Sequence, residues 1–368
     1  MPTDNLLTVS RLVCLRRCAY QHWLRYEQGL ARDRDDAPLA RIGTVFHGGL
    51  ARAHSTPPGD PYAALLAYEA VPQNTDPHAW GVERETVRNL LAGHLWRYQD
   101  EKLEYVRVEH AFCHILRNPD TGKRVRGFRL AGKIDDLVIA GAVSSILERK
   151  TTGDDIAPES QYWLRLRRDP QISHYMIGAR LDGHNVSRVL YDATRRPSIG
   201  PVQVPTLDAD GLKIVLDAAG QRVIKKDGTP RLSADAEKGY VLQARIQTPE
   251  EFGARLLKDI GERPDFYFGR REIARTDGEL ATYQREVCQE AELLRYRRCH
   301  NLWPASVSKW NCPWCSYADL CLQGITVWDG DSPPAGYKRL ENVHPELAAP
   351  APGDLAWAPC LWPTWARP

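Results

Sequence analysis

A chain of 368 residues, 43% hydrophobic and 26% charged, has the composition of a globular protein with ample core, which excludes a disordered or fibrous chain. A formal net charge of +2 excludes a general polycation, so any nucleic-acid surface must be a local patch. The N-terminal apolar run is interrupted by Arg11, Arg16 and Arg17, and no stretch reaches transmembrane length. These features predict no signal peptide, no membrane partner and a reducing cytoplasmic setting, in which nine cysteines read as thiols or metal ligands rather than disulfides.

Leu12, Leu15, Ala19, His22, Trp23 and Tyr26 recur at helical spacing, with Thr8 or Ser10 as the cap. A loop, STPPGD at 55–60, precedes a second helical region from Arg84 to about Glu104. The period then changes. EYVRVEHAFCHIL alternates, NPDTGKR reads as a turn, and VRGFRLAGKIDDLVIAG returns as a partner strand that ends at Gly141. AVSSILERKTT is a further strand, Pro158 to Leu181 is helical, and SRVLYDATRR is another strand. Residues 201–250 carry KKDGTPRLSADAEKG, a surface insertion, and a helix is predicted from about Gly278 to Arg298. The order predicts an α/β domain over 1–322: a helical part at 1–104, a mixed-sheet core at 105–200, and a helical part with a cysteine cluster at 201–322. Residues 323–368, rich in Pro, Ala and Trp, read as an irregular or mobile tail.

The strand pair carries the chemistry. Residues two apart on a strand share a face, so Glu148 and Lys150 project together while Arg149 points away. A hairpin brings Asp135 beside them and turns Asp136 to the opposite face. Two carboxylates and an ammonium at one point suit Mg²⁺ or Mn²⁺ activating water on a phosphodiester. Against that stands the plain alternative of a surface ion pair.

Cys312, Cys315 and Cys321 have C-x₂-C-x₅-C spacing, one ligand short of a tetrahedral site. Cys113, Cys288, Cys299 and Cys360 are core or incidental thiols. Basic clusters beside aromatics lie at WLRLRRD, FYFGRREIAR and LLRYRRCHNLW. Phe266, Arg270 and Arg271 are candidates for stacking bases and tracking phosphates.

As an ordered set these motifs resemble the PD-(D/E)XK nuclease superfamily, specifically its RecB-like exonucleases, which include the nuclease domains of RecB and AddB and the CRISPR-associated members. GTVFHGGL resembles the first motif and implies a metal-ligating His47. AGKIDDL resembles the second and implies Asp135, although a second acid, Asp136, stands where a basic residue is usual. LERKTTG resembles the third, implying Glu148 and Lys150 with the Arg149 main-chain carbonyl as a further ligand. QISHY resembles the Q-x₃-Y motif and implies Gln171 and Tyr175, which share a helix face. The resemblance implies a restriction-endonuclease-like core, a mixed sheet flanked by helices.

The iron–sulfur subgroup joins an N-terminal cysteine to three C-terminal ones. RRCAYQHWLRY then implies Cys18 as the fourth ligand of a [4Fe–4S] cluster. Cys14, one helical turn earlier and facing the same way, is the competitor, and four thiolates equally suit Zn²⁺. The expected activity is metal-dependent exonucleolytic hydrolysis of single-stranded DNA or duplex ends. The expected context is recombination, repair, phage DNA processing or CRISPR adaptation. No P-loop motif occurs, so a helicase motor is expected only from a partner. The alternative is a non-catalytic nucleic-acid-binding subunit held by zinc or a cluster.

Overall fold

The computed structural model describes residues 5–33, 38–72, 75–325, 327 and 332–347. Its centre is a mixed sheet built from β1 (Leu6–Leu7), β2 (Leu103–Arg117), β3 (Arg124–Ala140), β4 (Val143–Thr152), β5 (Arg188–Arg195) and β6 (Phe268–Ala274). β2 and β3 form a long antiparallel pair. On its other edge β3 pairs with β1 near Leu130 and with β4 beyond Asp136. β5 joins β4 in parallel and β6 closes the sheet antiparallel to β5. The expected fold class, a central mixed sheet flanked by helices, is the one observed.

Local chemistry sets these elements. The Asn118 side chain accepts from the amides of Asp120 and Thr121 at 2.9 and 3.1 Å, closing the β2–β3 turn. Ala140 pairs with Val143 around Gly141, whose φ of +66° suits a residue without a Cβ. The helices are α1 (Val9–Arg17), α2 (Pro38–His54), α3 (Pro77–Arg97), α4 (Pro170–Leu181), α5 (Pro249–Glu262) and α6 (Asp277–His300). Asp76 and Asp169 cap α3 and α4 just before a proline, and Thr248 and Thr276 open α5 and α6 with capping boxes. The Asp76–Pro77 pair explains why α3 begins before Arg84.

Two helical layers cover the sheet. α1, α4 and α6 pack Leu12, Met176 and Val287 against Phe112 and Leu130. α2, α3 and α5 pack Phe46, Leu90 and Leu256 together beside Phe268. Residues 201–248 are mostly exposed turns and short strand pairs.

The termini depart from expectation in two places. The helical spacing through Tyr26 is realised in two pieces: the first helix breaks at Cys18, whose φ of −162° and ψ of 117° are extended, and helical turns resume over Ala19–Glu27. The tail reading of 323–368 also changes. Tyr337–Arg339 pairs antiparallel with Leu30–Arg32, and Tyr337 packs with Leu24, Leu30, Tyr317 and Leu320. The domain therefore continues past residue 322. Residues 348–368, including Cys360, lie outside the described residues. Among the described residues no helix is long and apolar enough to cross a membrane.

Candidate nuclease site

β3 and β4 place the acids. Asp136 is registered with Leu147, so Asp135 and Glu148, one step further along each strand, share the other face. The Arg149 amide donates to Asp135 Oδ2 at 2.8 Å, tying the two strands at the site itself. Lys150 Nζ lies 2.8 Å from Glu148 Oε1. Gln171 Nε2, on the first turn of α4, donates to the same oxygen at 2.8 Å.

His47 arrives from α2. Gly43, one turn earlier, passes so close to β4 that an added Cβ would lie 2.9 Å from Thr151 Oγ1. That approach sets His47 Nδ1 3.7 Å from Asp135 Oδ2. Gly43 is thus the packing half of the GTVFHGG motif. Tyr175, one turn beyond Gln171, stands edge-on to Phe112 with ring centroids 6.2 Å apart. The structure therefore brings His47, Asp135, Glu148, Lys150 and Gln171 together, with Tyr175 behind Gln171.

Burial first and the Asp135 charge second push the Glu148 carboxyl up to about 8. Burial holds the His47 imidazole down to about 4 against the pull of Asp135, so the ring is neutral near pH 7 and keeps a free lone pair. For Lys150 burial alone would favour the neutral amine, but Glu148 and Asp135 more than reverse it and keep the ammonium. Burial and the neighbouring acids raise the Tyr175 phenol well above its usual range. The site is an acid pair partly neutralised by its own lysine, with oxygen and imidazole donors available to a hard divalent ion.

The opposite face carries a buried ionic network that sequence reasoning missed. Asp136 pairs with Arg149, and both are almost wholly buried. Beside them Asp192, registered with Arg149, binds His94 Nε2 at 2.9 Å and Arg270 at 2.5 Å. Arg270 also pairs with Glu101 and lies 4.0 Å from the centre of the Tyr98 ring. Its expected role on DNA is therefore corrected: its guanidinium neutralises Asp192 inside the fold. Phe266 is half-buried, with the guanidiniums of Arg195 and Arg263 at 4.1 and 4.5 Å from its ring centre. Arg271 donates to the Pro158 carbonyl and lies over Trp163, on the rim of the loop after β4. Asp169 was also missed. It caps α4 by accepting from the Gln171 amide at 2.8 Å, and the Asp-Pro step was the readable signal.

Cys18, Cys312, Cys315 and Cys321 line one pocket. Amides of Ser306 and Ser308 donate to the Cys18 and Cys312 sulfurs at 3.4 and 3.2 Å. Burial, followed by the neighbouring thiols, raises the pKa of Cys321. Cys14 is buried and its thiol is pushed up to about 11, chiefly by burial. It does not line the pocket, because the extended Cys18 leaves the helix on which the two would share a face. Among the described residues, no group of three or more His, Cys, Asp or Glu side chains is placed to hold a metal ion.

A mixed sheet flanked by helices, with an Asp, a Glu and a Lys meeting on neighbouring strands, defines a metal-dependent nuclease core. The family match agrees with it over residues 6–322, and the chain belongs to the PD-(D/E)XK nuclease superfamily. Among solved structures, the crystal structure of SSO0001 aligns over 89% of this chain and 90% of its own, at 12% identity and a TM-score of 0.33. No curated protein matches the chain.

Proposed function

We propose that the protein is a RecB-like, metal-dependent DNA exonuclease acting on single strands or duplex ends, in recombination, repair, phage DNA processing or CRISPR adaptation. The observation that carries this is the meeting of Asp135, Glu148 and Lys150 with His47 at one point of the sheet. Asp135, Glu148, His47 and the Arg149 carbonyl would hold one or two Mg²⁺ or Mn²⁺ ions. Such an ion lowers the pKa of a water and screens the phosphodiester charge. Lys150 keeps its proton and offers positive charge to the developing pentacovalent phosphate. Gln171 fixes Glu148, Asp169 fixes the turn that carries Gln171, and the neutral His47 supplies a lone pair.

Cys18, Cys312, Cys315 and Cys321 would hold a [4Fe–4S] cluster, with Zn²⁺ as the alternative. Four thiols around one pocket with amide donors aimed at two of the sulfurs fit a thiolate-bound metal.

The test is to incubate end-labelled single- and double-stranded DNA with Mn²⁺ or Mg²⁺, comparing wild type with Glu148→Gln and Lys150→Ala. Wild type should release products from the ends. Each variant should lose about 10²–10³-fold in rate or more while still folding and binding DNA. Cleavage at the wild-type rate by either variant would retire the site. Wild-type DNA binding without cleavage under any divalent ion would leave the non-catalytic subunit as the reading.

A further inference from the structure

The basic-aromatic run that ends in LLRYRRCHNLW finds no place at the catalytic centre. Residues 293–318 contain no Asp or Glu. Of their cations Arg295 and Arg298 pair with Glu292 and Glu27 outside the segment, and Arg297 and Lys309 form no ion pair with a described carboxylate. Within the loop that follows α6, Trp310 and Trp314 are 74% and 87% exposed. Indoles are normally at least half covered, so two open rings four residues apart call for a partner.

The rings stand on a fixed frame. The Trp310 amide donates to Ser308 Oγ at 3.1 Å, and the Cys312 amide donates to the Ser308 carbonyl at 3.0 Å. The amides of Trp314 and Cys315 donate to the Asn311 and Cys312 carbonyls at 3.2 and 3.1 Å. Lys309 Nζ already lies 4.9 Å from the Trp310 ring centre. Arg17 hydrogen-bonds Gln21 at 3.0 Å, and no described carboxylate forms an ion pair with it. Gln21 lines the same cysteine pocket as Val307 and Asn311 of the loop. Exposed π-faces beside cations, with no acid in the segment, complement a polyanion that also offers flat apolar faces.

We infer that the cysteine loop is a stacking platform for single-stranded DNA, with Trp310 and Trp314 taking bases and Lys309 and Arg17 taking phosphates. This rests on the reading of the chain as a DNA nuclease and adds a handhold for the strand outside the catalytic carboxylates. Stacking on aromatic side chains tolerates any base, so the platform grips without sequence preference.

The experiment measures binding of a fluorescent oligo-dT by anisotropy, in a Glu148→Gln background so that the strand survives. Trp310→Ala/Trp314→Ala should weaken binding by about tenfold or more, and the oligonucleotide should quench tryptophan emission in the parent but less in the variant. Trp310→Phe/Trp314→Phe should keep most of the affinity. Unchanged affinity in the alanine variant would overturn the platform, as would an equal loss in the phenylalanine variant. An oligomer that dissociates on alanine substitution, with no response to oligo-dT, would make this face a contact between copies and also overturn it. In parallel, wild-type and alanine-variant proteins carrying Glu148 should hydrolyse bis(p-nitrophenyl) phosphate equally with Mn²⁺. No hydrolysis by either, with oligo-dT binding still dependent on the tryptophans, would reject the nuclease reading and uphold the platform.

Discussion

His174 lies between Gln171 and Tyr175 in the sequence yet points away from the acids. Its Nε2 donates to the Ala131 carbonyl at 3.0 Å and its Nδ1 accepts from the Tyr283 hydroxyl at 2.9 Å. That pattern uses a neutral ring, and burial holds the imidazole down from 6.5 to about 4. As pH falls below 6.5 the unfolded chain takes up the proton first. The stability from this residue is full above that value and is lost between about 6.5 and 4, at most about 3 kcal/mol. His22 and His54, held near 2 and 3 mainly by burial, act in the same direction. The buried carboxyls of Glu148 and Asp136, raised to about 8 and about 7, act in the opposite direction between pH 7 and pH 5. The readout is therefore the difference between proteins: the urea midpoint of His174→Gln should lose less, or gain more, than that of wild type over that range. An equal pH dependence in the two would rule out neutral burial of His174.

α4 carries Gln171 and Tyr175, so its seat on the sheet sets the site. That seat depends on Phe112, which lies between Gly132 of β3 and Gly178 of α4. A Cβ on Gly178 would come within 2.4 Å of the Phe112 ring, and one on Gly132 within 2.7 Å. Overpacking of this kind costs roughly 1–3 kcal/mol. Gly178→Ala should lower the melting temperature and, by shifting α4, also lower kcat for DNA hydrolysis. Gly261→Ala on α5, where an added Cβ meets nothing within 4 Å, is the control: it should leave kcat unchanged and raise the melting temperature slightly through helix propensity. An unaltered kcat in a destabilised Gly178→Ala protein would uncouple α4 from the site. Neither glycine was singled out in the sequence, because each matters only through a ring from another element.

Across the whole molecule the two ends are tied together. Glu27 accepts from Arg11 at 2.9 Å and from Arg298 at 2.9 Å, and Arg32 binds Asp319 at 2.7 Å. With the Leu30–Arg32 and Tyr337–Arg339 pairing, these contacts bring Cys18 to the three C-terminal cysteines. A metal held by the four thiols, as proposed, would close a long loop and so restrict the unfolded ensemble. Cys18→Ser should lose most bound iron or zinc and lower the melting temperature. Cys14→Ser should keep the metal and lose only packing. Metal analysis on both variants checks this, and retention of full metal by Cys18→Ser would remove that cysteine from the ligand set.

The strand–turn–strand at 105–141, the shared face of Glu148 and Lys150, and the pairing of Gln171 with Tyr175 were legible because each depends on spacing of a few residues along one element. Asp136 was likewise placed on the far face by alternation alone. What the chain's order did not reveal was the cover on each face. Arg270 looks like a phosphate ligand until Asp192, from the neighbouring strand, is seen buried beneath it. The run after Cys18 favours it over Cys14 only by resemblance, since both would share a helix face. The break in the helix, with the Tyr20 amide bonded to the Pro304 carbonyl, is what sets Cys18 rather than Cys14 on the pocket. Periodicity fixes direction within an element, so the acids and lysine could be aligned from sequence alone. Desolvation and charge pairing arise only where distant segments pack, so the tertiary structure decided which basic residues serve the core and which cysteine joins the pocket.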